Sequence, residues 1–100
     1  MSAKKLTDDS SIMTKDFQVL NKLGIHARPA AMFVKTANRF SCDIFVEKDG
    51  EKVNGKSIMG LMMLAAGPGV TITIQATGKQ ARAAVDTLAN LVANRFGEEE

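Results

Sequence analysis

His26 is the only histidine in the chain, and it stands two residues before Arg28 and three before Pro29. An imidazole nitrogen with a free lone pair can attack a phosphoryl group, and the adduct can pass that group on. A guanidinium two residues away brings a permanent charge and a fork geometry suited to phosphate oxygens. Pro29 favours the first turn of a helix. The run Gly24-Ile25-His26-Ala27-Arg28-Pro29-Ala30 therefore sets the histidine at a helix start. There the backbone N–H groups of Ala27 and Arg28 have no partner inside the helix, and the positive end of the dipole favours an anion such as phosphate. A second reading stays open on the residues alone: His26 caps the helix and Arg28 is solvated surface. One histidine leaves no pair for a metal or a proton relay, and no metal is expected.

Ser57 is the second candidate. Serine is a good N-cap, and it precedes the apolar segment Ile58–Leu64. Position 60 is Gly rather than an acid, so there is no capping box. A phosphate on Ser57 would meet a helix N-terminus, which tolerates it, so it would alter docking rather than unfold the domain. Ile58, Met59, Leu61, Met62 and Met63 exceed what one short helix can bury. Ile58, Leu61 or Met62 suit the core. The surplus, rich in adaptable Met, suits a docking patch for several partners, with Ile58, Met59 and Met62 as its residues and Met59 its exposed contact. Lys35, Arg39 and Lys56 read as solvated charge, and Cys42 as a buried strand residue.

These side chains need a frame. Residues 16–22 read as a strand, with Phe17 and Val19 on one face. Residues 27–39 read as a helix with a stripe of Ala30, Phe33, Val34 and Ala37. Cys42, Ile44 and Val46 alternate with Asp43, Phe45 and Glu47 as a second strand. Asp49-Gly50 predicts a hairpin into a short third strand around Val53. After the Ile58–Leu64 segment and the Gly67-Pro68-Gly69 turn, Val70–Thr77 alternates strictly. Residues 79–96 read as a helix through Ala81, Val85, Leu88, Val92 and Phe96. The order β-α-β-β-α-β-α, with half-buried strands and one apolar stripe per helix, predicts a two-layer α+β sandwich with a mainly antiparallel sheet.

Composition limits the alternatives. The chain has 100 residues, 45% apolar and 24% charged, enough for one globular domain. Net charge is +2, and Trp and Tyr are absent, which argues against nucleic-acid binding. The charge is uneven. Residues 1–15 carry Lys4, Lys5 and Lys15 against Asp8 and Asp9, a net +1, and Glu98–Glu100 add −3, which leaves +4 on residues 16–97. Residues 1–15 are polar and aperiodic and read as a disordered extension, with Met13 as an alternative start. Residues 97–100 read as an acidic tail. The single Cys42 excludes an internal disulfide and fits a reducing cytoplasm. The longest apolar stretch, Ile58–Ala66, is about half of the ~18 residues a membrane span needs.

Two segments resemble a known family. Gly24-Ile25-His26-Ala27-Arg28-Pro29-Ala30 is similar to the active-site motif of HPr, the histidine-containing phosphocarrier of the bacterial phosphotransferase system. Val53-Asn54-Gly55-Lys56-Ser57-Ile58-Met59-Gly60 resembles that family's regulatory serine segment. The similarity covers residues 16–96. It implies an HPr-like open-faced sandwich, with a four-stranded sheet covered by three helices on one face. It implies that His26 carries the phosphoryl group on Nδ1 and that Arg28 compensates its charge. The donor would be Enzyme I, itself phosphorylated by phosphoenolpyruvate, and the acceptor a IIA component. The chain would then be a monomeric cytoplasmic carrier with a covalent phosphohistidine, not an independent enzyme, and would bind no cofactor. Ser57 would be a target of HPr kinase/phosphorylase, and the docking patch would lie beside the histidine. The alternative is a mainly regulatory protein, of a nitrogen-type branch or of carbon catabolite control, that binds a transcription regulator or enzyme when phosphorylated. Regulatory members can dispense with the histidine, so His26 favours the carrier.

Overall fold

A computed structural model describes residues 12–98. The strictly alternating segment becomes the inner strand β4, Thr71–Thr77. Its Ile72, Ile74 and Ala76 are fully buried, while the intervening Thr73, Gln75 and Thr77 face away from the core. β4 pairs antiparallel with β1 (Ile12–Gln18) on one side and with β2 (Asp43–Lys48) on the other. β2 also pairs with β3 (Glu51–Asn54), giving the order β1-β4-β2-β3. The β2–β3 hairpin turns at Asp49 and Gly50, both left-handed at φ 52° and 85°, as an Asp-Gly pair allows.

Helices α1 (Ala27–Ala37), α2 (Ile58–Met63) and α3 (Ala81–Ala93) cover one face. α1 buries Pro29, Ala30, Phe33 and Ala37, and packs against α2 and α3. α3 buries Ala81, Ala84, Val85, Leu88 and Val92, and packs on β1 and β4. The α+β open-faced sandwich expected from the sequence is the fold observed.

Two elements differ from the sequence expectation by three residues or more. The first strand runs over residues 12–18 rather than 16–22, so residues 12–15 of the expected disordered extension are strand. The opposite edge of β4 supplies backbone partners along seven residues, from Ile12 opposite Thr77 to Gln18 opposite Thr71. After Val19, which bonds to Gly69 and Val70, the chain turns at Asn21. Residues 1–11 of the extension lie outside the described residues. The last helix stops at Ala93 rather than reaching residue 96, and a 3₁₀ turn, Arg95–Gly97, follows. Arg95 and Phe96 are left-handed, at φ 57° and 55°. Two such residues cost roughly 1–2 kcal/mol each, and burial of the Phe96 ring, only 1% exposed, returns a comparable ~3 kcal/mol. Glu98, expected in a free acidic tail, is thereby folded back against the domain.

Candidate phosphoryl-acceptor site

His26 is the N-cap of α1, with extended backbone at φ −91° and ψ −166°. Ala30 N–H donates to the His26 carbonyl at 2.9 Å, which begins the helix. No side chain caps this end, and no acidic residue lies in the first turn. Pro29 has no N–H, so the first turn offers the N–H groups of Ala27 and Arg28, both in exposed residues. These are the two groups that the sequence assigns to a phosphate. The Arg28 side chain is exposed at the same end.

The approach to His26 is fixed by Gly24. Its φ is +69°, and a β-carbon there would press into the Ala66 carbonyl and lie 2.8 Å from Gly67 Cα. Only glycine lets this loop seat against the Ala66–Gly67 turn, where Ile25 N–H donates to Ala66 O at 2.9 Å.

The imidazole has a partner that sequence reasoning missed. Nε2 of His26 lies 2.9 Å from Oε2 of Glu98. The other oxygen, Oε1, accepts from Nδ2 of Asn21 at 2.9 Å. Asn21 is fully buried, and its Nδ2 also donates to Gly24 O at 2.6 Å, while its Oδ1 has no hydrogen-bond partner among the described residues. The ring is 36% exposed and the Glu98 side chain 15%. The Asn21 amide, then the His26 hydrogen bond and the nearby charges of His26 and Arg28, hold the Glu98 carboxyl below the ordinary carboxylate range. An ionised carboxylate only accepts, so the hydrogen between the two residues belongs to Nε2. In the neutral ring this leaves the lone pair on Nδ1.

The sequence held one faint signal for this contact. Phe96 continues the apolar spacing of Val85, Leu88 and Val92 past the end of α3 and is followed by Gly97, a residue suited to a reversal. Nothing local marked Asn21 as more than a loop residue.

Ser57 is the N-cap of α2, and its Oγ accepts from Gly60 N–H at 2.9 Å. A β-carbon at position 60 would lie 3.2 Å from that Oγ, so glycine keeps the cap open. Of the apolar residues expected to share the core, only Leu61 is buried in α2. Ile58, Met59, Met62 and Met63 are all exposed and line one shallow apolar groove. Ile58 and Met62 thus belong to the surface, and Met63 joins the three residues expected there. Lys56 is a tether rather than free charge, since its Nζ donates to Phe40 O at 2.7 Å. Cys42 is buried just before β2.

Fold and site together define a small open-faced α+β domain with one histidine seated at a helix start. A family model described as the PTS HPr component phosphorylation site matches residues 13–94. The chain is 44% identical over 89 residues to the phosphocarrier protein HPr of Cupriavidus necator, covering 89% of this chain and 100% of that one. It is 53% identical over 77 residues to the HPr-like protein Crh of Halalkalibacterium halodurans, covering 77% of this chain and 92% of that one. The crystal structure of HPr-C-His from Thermoanaerobacter tengcongensis superposes with a TM-score of 0.85 at 45% identity, over 88% of this chain and 99% of the other. The chain belongs to the HPr family of phosphocarrier proteins of the phosphotransferase system. No described helix is long and apolar enough to cross a membrane.

Proposed function

We propose that this protein accepts a phosphoryl group from Enzyme I on Nδ1 of His26 and hands it to a IIA component. The observation that carries this reading is the contact of His26 Nε2 with Glu98, which leaves Nδ1 as the ring's nucleophilic atom at the start of α1. In the transfer, the bond from phosphorus to its donor atom on Enzyme I breaks as the bond to Nδ1 forms. The N–H groups of Ala27 and Arg28 and the Arg28 guanidinium take up the charge of the equatorial oxygens. Such transfer needs mainly positioning and charge neutralisation, so one small domain can supply the nucleophile and its partners the rest. The exposed groove of Ile58, Met59 and Met62 on α2, which packs beside α1, is the docking surface for these partners. In this reading the carrier acts as a monomer in the cytoplasm.

Incubation with phosphoenolpyruvate and Enzyme I should give an acid-labile, base-stable adduct. Its persistence at full yield in His26→Ala would reject the assignment. Arg28→Ala should keep the adduct but slow its formation by roughly tenfold or more, since one charged partner of the phosphate is lost.

A second role is regulatory phosphorylation of Ser57 by an HPr kinase/phosphorylase, read out by a transcription regulator or an enzyme. Its support is the position of Ser57 directly before the exposed groove, together with the likeness to the HPr-like protein Crh. If Ser57→Ala and Ser57→Asp bind every candidate partner equally, this role fails.

A further inference from the structure

Three of the chain's sulfur atoms share one exposed face. Met59, Met62 and Met63 are 73%, 44% and 67% exposed, and they stand at helical spacing on α2 beside Ile58. The other described sulfur residues are shielded. Met13 and Met32 are partly buried against the core. Cys42 is 5% exposed, and burial pushes its thiol up, so it offers little of the thiolate that oxidants attack. A thioether needs no ionisation to react. It needs only access of an oxidant to a sulfur lone pair.

We propose that Met59, Met62 and Met63 form a modification site for two-electron oxidants of the peroxide class, and that reversible sulfoxide formation there turns the α2 groove polar and weakens docking of Enzyme I. In each reaction the sulfur lone pair forms an S–O bond to one peroxide oxygen while the O–O bond breaks. For hydrogen peroxide the departing oxygen leaves as water. Sulfur is oxidised by two electrons and the peroxide is reduced by two. The product is polar and chiral where an adaptable apolar side chain had been. The loss of docking rests on the phosphocarrier reading above, whereas the site of oxidation does not.

The full chain is exposed to limiting hydrogen peroxide, and sulfoxides are mapped by peptide mass spectrometry. Phosphoryl acceptance from Enzyme I at subsaturating carrier is measured before oxidation, after it, and after treatment with methionine sulfoxide reductases A and B. Sulfoxides should appear on the three α2 methionines before Met13 and Met32. Acceptance should fall by roughly tenfold as apolar burial at the groove is lost, and the reductases should restore it. The triple variant Met59→Leu, Met62→Leu, Met63→Leu, whatever its starting rate, should show no response to peroxide. Sulfoxides forming first at Met13 or Met32 would overturn the site. Unchanged transfer by a carrier oxidised at all three positions would overturn the loss of docking. Failure of the unoxidised chain to accept phosphoryl would overturn the phosphocarrier reading and the docking effect with it. The order of sulfoxide formation would still decide the oxidation site, because it does not depend on Enzyme I.

Discussion

Glu98 Oε2 lies 2.9 Å from His26 Nε2, across 72 residues of sequence, and the pair sets which ring nitrogen carries the hydrogen. Glu98 is itself held by Asn21, so a buried amide, a carboxylate and the imidazole form one chain of contacts. Glu98→Ala should therefore populate both neutral tautomers of His26, visible in its side-chain ¹⁵N shifts. Phosphoryl acceptance should fall by roughly tenfold, as for other residues that orient a reactive imidazole. An unchanged tautomer in the variant would show that the contact does not orient the ring.

The same carboxyl predicts a pH dependence. Its folded-state pKa lies below the ordinary value of 4.5, chiefly through the Asn21 hydrogen bond. A depressed carboxyl stabilises the fold above its unfolded pKa, and that contribution is lost as pH falls through the folded one. The stability difference between the protein and Glu98→Gln should shrink as pH drops below about 5 into the acid range. Urea unfolding at stepped pH measures this, and a difference that grows on acidification would contradict it.

Ser57→Ala removes the acceptor for Gly60 N–H. Loss of an N-cap costs about 1 kcal/mol. Ser57→Asp retains an acceptor oxygen and should recover most of that loss. Thermal or urea unfolding of the two variants separates the capping role of Ser57 from any regulatory one.

Gly24→Ala tests how the histidine loop is seated. The new β-carbon meets Ala66 and Gly67 while the backbone keeps φ at +69°. We expect a loss of about 2 kcal/mol or more from the steric and left-handed terms combined. Amide shifts should move at Ile25, His26 and Ala66. Wild-type stability in this variant would mean that the loop relaxes without cost.

The sequence carried the site's first half because that half is local. His26, Arg28 and Pro29 fall within one turn, and a helix start can be read from a few neighbours. β4 was legible for a similar reason, since its alternation is unbroken. The first four residues of β1 were not, because Lys15 stands opposite Ile74 in the row that also holds Met13 and Phe17. A charged residue in the core-side row breaks the apolar pattern, and only pairing with a distant strand shows that the segment is ordered. The second half of the site was hidden more deeply. Glu98 looks like one of three solvated acids at the end of the sequence, and its contact depends on two left-handed residues that no periodicity announces.

The antiparallel pairing of β1 with β4 bears on when the site comes into being during folding. Asp16 and Thr73, joined by a 2.7 Å hydrogen bond, are 57 residues apart in sequence. Pairing at that separation needs a large loop to close, which slows folding relative to a purely helical domain of this size. α1, at 11 residues, is marginal without its packing partners, and α3 packs on β1 and β4 and leads the chain to Glu98. During refolding, His26 would therefore meet its carboxylate only once the sheet has closed. A chain whose sheet is still open holds the whole local histidine motif and still lacks a correctly held ring.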